Sequence, residues 1–156
     1  MNSDCIFCEI VSGRVPAHVV WQGEKHIAFL SIFPNTDGFT VVATKKHHPS
    51  YAFTVDKTVL TGLVLASKTV ARKIDNALED VGRTGFILEG FGVDHLHSKL
   101  FPMHGTPKDH WEKLSSDKYI DKFFERYESY ISSHDSKKAD DNKLAKIASK
   151  IRRTKP

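Results

Sequence analysis

His95, His97, Lys99 and Phe101 recur at every second position in the stretch 90–102. In a strand, that period sets them on one face, with Leu96, Ser98 and Leu100 on the other. The result is an apolar back and a line of nitrogen bases in front. A neutral imidazole there can attack an electrophilic centre such as phosphorus, provided its other ring nitrogen is held by a hydrogen bond. Lys99 adds a permanent cation, which stabilises developing negative charge but is a poor general acid at neutral pH. The bland alternative is polar surface on a half-exposed strand. A second reactive pair, Cys5-x-x-Cys8, opens the chain. Two thiolates at that spacing hold one metal ion readily but need two further ligands. A redox pair would follow a strand and open a helix in a βαβ pattern, which these flanks do not show.

The elements around these residues read as an antiparallel sheet with one long helix. Ile6, Phe7, Ile10 and Val11 suggest a short helical turn ended by Gly13. Strands follow at 18–22, 26–32 and 39–44, joined by connections so short that neighbours must be antiparallel. His18 and His26 fall outside any cluster and read as surface. From Asp56, a plausible N-cap, to Val81 the apolar period becomes helical, and Gly82 sits where a C-terminal glycine would stop a helix. A fourth strand is expected at 86–88 and a fifth at 95–101. Beyond Gly105, residues 107–114 and 117–131 read as helices and 132–138 as a polar loop. Asp141 can cap a last helix striped by Leu144, Ile147, Ala148 and Ile151. That stripe must cover this sheet or a second subunit.

A length of 156 residues bounds the chain to one domain, and 40% apolar with 27% charged residues fits an ordinary core. No apolar run approaches the roughly 20 residues of a membrane helix. The start Met1-Asn2-Ser3-Asp4 lacks signal-peptide character, so a cytoplasmic location is expected, with metal-bound or free thiols rather than a disulfide. The net charge of +4 is concentrated in the tail: residues 137–156 hold eight Lys and Arg against Asp140 and Asp141, +6 in all. A basic tail can bind phosphate polymers, but such a run is more often a solvated helix face, so nucleic acid is the weaker partner reading.

The signature run resembles that of the histidine triad (HIT) family, His-φ-His-φ-His-φ-φ before proline, where φ is apolar. Here it reads His95-Leu96-His97-Ser98-Lys99-Leu100-Phe101-Pro102, with lysine in the third histidine's place. The N-terminal half is similar to the same family in Cys5-Ile6-Phe7-Cys8-Glu9-Ile10, Val15-Pro16, Ile27-Ala28-Phe29-Leu30, Ile32-Phe33-Pro34 and Gly38 to His47. The resemblance spans roughly residues 4–105.

It implies an α+β, HIT-like fold with a five-stranded antiparallel sheet and one long helix, in which residues 1–105 form the domain core. Residues 106–156, which it does not cover, are expected from their periodicity to add C-terminal helices packed on the same domain and to end in the basic tail. The resemblance implies a hydrolase, phosphoramidase or nucleotidyl transferase acting on a nucleotide phosphate ester, anhydride or phosphoramidate. The alternative is a catalytically weakened, zinc-stabilised module that binds a phosphate-containing ligand. His97 matches the family's nucleophile, and Lys99 takes the place of the residue that helps at the leaving group. His104, just past Pro102, is a candidate for the lost acid–base function. Ile6, Phe7, Ile10, Phe29 and Ile32 match the base pocket, and Ser31 stands where a ribose-binding aspartate is expected. Cys5, Cys8, His47 and His95 match the ligands of a structural zinc, with adjacent His48 the rival of His47. A nucleotide or other phosphate-containing small molecule is the implied partner, together with a second copy in a homodimer. Two further departures are Gly38-Phe39 in place of Gly-His, and a loop contracted to Glu89-Gly90-Phe91-Gly92-Val93-Asp94.

Overall fold

Every residue of Thr40–Thr44 is buried, which puts this β-branched run at the centre of a sheet rather than at its edge. In the computed structural model, which describes residues 5–112 and 137–155, that run is β3. Around it lie α1 (Ile6–Val11), β1 (Val19–Gln22), β2 (His26–Leu30), a 3-10 turn at Ala52–Thr54, α2 (Lys57–Ala77), β4 (Val81–Ile87), β5 (His97–His104) and α3 (Asp141–Arg153). The five strands form one sheet in the order β1-β2-β3-β5-β4, with every neighbouring pair antiparallel.

The sheet is covered on both faces. On one side α2 and α3 enclose a core that includes Leu30, Val42, Leu63, Val70, Ile74, Leu100 and Ile151. On the other, α1 and the segment after it cover Ile27, Phe29, Phe39, Val41 and Ala43. The alternation read from the sequence therefore holds, but its polar face is also enclosed: His95 is 0% and His97 2% exposed. Gly13 ends α1 with φ 77° and donates its N–H to the Ile10 carbonyl, as a helix-stopping glycine does.

Several boundaries differ from the sequence reading. Helix α2 is capped by Asp56, whose carboxylate accepts from the Thr58 N–H at 2.7 Å, but it ends at Ala77 rather than Val81. Leu78 is extended, and the chain enters β4 at Val81. Gly82 thus does not stop the helix. It lies in a strand so close to the connection after β5 that a Cβ would meet the Pro107 carbonyl oxygen at 1.9 Å. Strand β4 runs over Val81–Ile87, where a shorter strand at 86–88 was expected. Arg83, Thr84 and Gly85 interrupt the apolar alternation there, and the pairing of Val81 with His104 through Ile87 with Lys99 holds them in the ladder. Strand β5 begins at His97 and continues past Pro102, where β3 no longer flanks it and a residue without an N–H is tolerated.

Residues 107–112 are not helical. The connection before them instead bonds back to β4, with the Thr106 hydroxyl accepting from the N–H groups of Gly82 and Arg83. The helix expected at 117–131 lies outside the described residues, as does most of the loop expected at 132–138. The cap of α3 is Asp140, one residue earlier than expected, and it accepts from the Lys143 N–H. Asp141 instead pairs with His18 at 2.8 Å. Leu144, Ala148 and Ile151 are buried against this chain's own core, so the α3 stripe covers this sheet. The buried Lys73 of α2 donates to the carbonyls of Arg152 and Thr154 and so closes the open C-terminal end of α3. His18 and His26 are both half-buried rather than surface.

Candidate functional site

Helix α1 sets Cys5 and Cys8 three residues apart, hence on one side of a helical turn, facing the sheet. Both side chains are buried, and neither forms a disulfide. The Cys5 sulfur lies 3.4 Å from His95 Nδ1, and the Cys8 sulfur 3.5 Å from His47 Nδ1 and 3.6 Å from His95 Nδ1. One donor atom from each of the four residues falls within 4.8 Å of the others. Tetrahedral coordination at about 2.0–2.3 Å places neighbouring donors about 3.3–3.8 Å apart, so the sulfur–nitrogen separations suit a Cys₂His₂ metal set. The His95 Nε2–H donates to the Thr44 carbonyl at 2.7 Å, which turns the lone pair of Nδ1 toward the thiols. Burial, above all, lowers the His95 pKa and keeps the ring in the neutral form a ligand must have. His48 is not in this cluster. It faces the opposite groove, where burial and then Lys46 lower its pKa.

Two residues along the strand, His97 is held in a complementary way. Its Nδ1–H donates to the His95 carbonyl at 2.6 Å, so Nε2 carries the lone pair. Burial is the main cause that lowers its pKa, with the Lys99 charge adding to it. Phe7 meets the His97 ring edge-on at 5.1 Å between centroids and Phe29 at 5.3 Å, wedging α1 against the strands. The imidazole is therefore neutral, oriented and short of alternatives to its present rotamer.

A cavity of about 300 Å³ opens in front of it. All six residues expected to line a substrate pocket, Ile6, Phe7, Ile10, Phe29, Ser31 and Ile32, line this cavity together with His97 and Lys99. Ser31 adds no charge, and its hydroxyl accepts from the Phe33 N–H at 3.1 Å. Phe39, in the position where the resemblance expects histidine, stacks on Phe101 at 4.5 Å and extends the apolar wall with Val41. The contracted loop contributes Phe91, Gly92 and Val93.

Sequence reasoning missed Glu89. Its carboxylate pairs with the Lys99 ammonium, and both side chains are nearly enclosed, 6% and 11% exposed. The signal was there in the register: Ile87 lies opposite Lys99, so Glu89 continues that face toward His97. Its assignment to the contracted loop 89–94, rather than to a continuation of the β4 face, hid it. His104, conversely, is not brought to the cavity. It ends β5, on the order of 20 Å from His97 by strand rise, with its ring nitrogens directed to the Asp80 carboxylate at 3.0 Å and the Asp37 carbonyl at 2.9 Å.

Comparison with known proteins bears on the family and the fold. The family model described as the HIT domain matches residues 12–106. An uncharacterised 16.1 kDa HIT-like protein of Mycoplasma pneumoniae is 37% identical over 109 residues, covering 67% of this chain and 75% of the relative. The bifunctional adenosine 5'-phosphosulfate phosphorylase/adenylylsulfatase of Arabidopsis thaliana is 31% identical over 117 residues, 73% of this chain and 79% of that protein. Among solved structures, a Zn-bound histidine triad family protein from Mycobacterium smegmatis superposes with a TM-score of 0.68 at 19% identity, covering 96% of this chain and 91% of that one.

Proposed function

This chain belongs to the HIT domain family, and on that premise we propose that it cleaves a nucleotide phosphate ester, anhydride or phosphoramidate through His97. The observation that carries this reading is the bond from His97 Nδ1–H to the His95 carbonyl, in a ring buried at the head of the cavity. It leaves Nε2 as a neutral nucleophile. In the proposed reaction Nε2 forms a bond to phosphorus, the bond to the leaving group breaks, and the leaving group takes a proton from solvent water. A second water then attacks phosphorus and gives a proton back to solvent, the phosphorus–nitrogen bond breaks, and the phosphate product leaves with His97 restored. The apolar cavity suits a base, and a relative named for adenosine 5'-phosphosulfate supports a nucleotide substrate.

Cys5, Cys8, His47 and His95 would hold zinc. With four protein ligands it would supply no open coordination position and serve as a cross-link that fixes α1 and the β5 entry. Two buried cysteines without a disulfide suit a reducing, cytoplasmic compartment. The same reading includes a homodimer, supported by exposed Val64 and Leu65 on α2 and Phe86 on the edge strand β4.

One observation favours a weaker catalyst or a binding module as the second reading. Lys99 replaces the third histidine and is ion-paired with Glu89, so neither residue is an obvious proton donor at neutral pH. Brief reaction with a phosphorus-labelled nucleoside phosphoramidate, quenched in alkali, distinguishes the two. Label on His97, and a loss of turnover by about 10³-fold or more in His97→Ala, are expected. Ligand binding with no label, or wild-type turnover in His97→Ala, overturns the nucleophile assignment.

A further inference from the structure

Three of the eight cations in the basic tail are engaged within the chain: Lys143 pairs with Asp37 at 2.8 Å, Lys150 with Glu79 at 3.6 Å, and Arg152 donates to the Val19 carbonyl. A second group of cations converges elsewhere. Lys25 from the β1–β2 turn, Lys45 and Lys46 after β3, and Lys57 at the start of α2 line one groove of about 790 Å³. None of the four makes an ion pair among the described residues, and Glu24 is the one carboxylate lining the groove. Asp56, beside Lys57, is committed to capping α2. The groove shares no lining residue with the His97 cavity.

Four ammonium groups around one concavity repel each other, and a ligand with several closely spaced negative charges removes that repulsion while gaining charge-assisted hydrogen bonds. The hydroxyl of Thr61 adds a neutral donor, and the half-buried rings of His26 and His48 add more. Gly62 keeps the floor open, since a Cβ there would come within 3.2 Å of His26 Cε1. Among the described residues no Phe, Tyr or Trp lines the groove, so there it lacks the stacking platforms on which single-stranded nucleic acid is held. Its cations are clustered in a hollow of small-ligand size rather than strung along a face. We propose that this groove is a second anion site that binds a short phosphate chain, as in inorganic oligophosphate or the tail of a nucleoside polyphosphate.

The test is calorimetric titration of the full chain with inorganic tripolyphosphate at about 0.15 M salt, compared with Lys25→Glu/Lys57→Glu and with His97→Ala. The expected result is one tripolyphosphate per chain, weakened roughly tenfold or more by the lysine double variant and unchanged by His97→Ala. The double variant should keep the wild-type circular dichroism spectrum and turnover. Adenosine triphosphate competing at equal strength identifies the phosphate chain as the recognised part; tighter competition lost in the double variant identifies a nucleoside polyphosphate. The proposal is overturned by absence of binding, by binding indifferent to the lysine double variant, or by binding displaced by adenosine monophosphate, which would locate it in the His97 cavity. Preference for a single-stranded oligonucleotide over tripolyphosphate at equal phosphate concentration overturns it in favour of nucleic acid.

Discussion

The two ends of β5 carry histidines under opposite conditions. At its start, His95 and His97 are enclosed and each gives one ring N–H to a backbone carbonyl, Thr44 for His95 and His95 for His97. At its end, His104 keeps a side chain 32% exposed and lies against the Asp80 carboxylate. The same residue type is consequently pushed in opposite directions: burial lowers the His97 pKa, whereas the Asp37 carbonyl and Asp80 raise that of His104. A carbonyl accepts from a neutral ring as well as from a charged one, so together with burial it fixes a tautomer and leaves a base. A carboxylate in water favours the cation. One end of the strand is built to offer lone pairs, the other to hold a charge.

The largest effect of breaking the buried end is expected at the metal set. Cys5→Ser removes one of four donors and frees α1, which carries Phe7 against His97. Zinc content should fall from about one per chain, and stability by a few kcal/mol, roughly 10 °C in Tm. Metal analysis with a thermal melt checks both. Protein purified without zinc and as stable as before would remove the cross-link from the account.

An intermediate effect is expected at Glu89, which decides how much charge the buried end carries. Paired, Glu89 and Lys99 are together neutral, so the cavity meets an anionic ligand with little net attraction. Glu89→Gln removes that carboxylate's charge from beside Lys99. Stability should drop by about 1–3 kcal/mol, while adenosine monophosphate should bind His97→Ala/Glu89→Gln severalfold more tightly than His97→Ala alone. Weaker binding would mean that Glu89 acts by positioning Lys99 rather than by cancelling its charge.

What could be read from the sequence follows from range. Period-two alternation exposed the two faces of β5, and the order of Cys5, Cys8, His47 and His95, given the family resemblance, brought four distant ligands together. Local pattern failed where a contact from far along the chain overrode it. Gly82 has the look of a helix stop, yet the approach of Pro107 makes it a strand residue, and only the fold reveals that. His104 follows Pro102 closely enough to suggest a role beside His97, but a continuing strand carries it away. The four groove lysines come from three separate segments, none of them conspicuous beside the basic tail. Charge counted along the chain found the tail; charge counted in space finds the groove.

The smallest effect belongs to the exposed end, where its sign with pH is the informative quantity. The folded state raises the His104 pKa, so folding favours the protonated ring, and this contribution is fully present below the unfolded value of about 6.5. It is lost as pH rises through the raised folded value. The folded state also lowers the Asp80 pKa, chiefly through the hydrogen bond from His104, so folding favours that carboxylate. That contribution is present above the ordinary aspartate value and is lost as pH falls through the lowered one. The pair is at full strength between the ordinary aspartate and histidine ranges and fades on either side. Melting curves of wild type and His104→Gln should therefore differ slightly near pH 5 and converge at alkaline pH. Turnover should be unaffected, because His104 does not line the cavity. A large loss of activity in His104→Gln with an unchanged melt would return His104 to the chemistry and erase the contrast between the two ends of the strand.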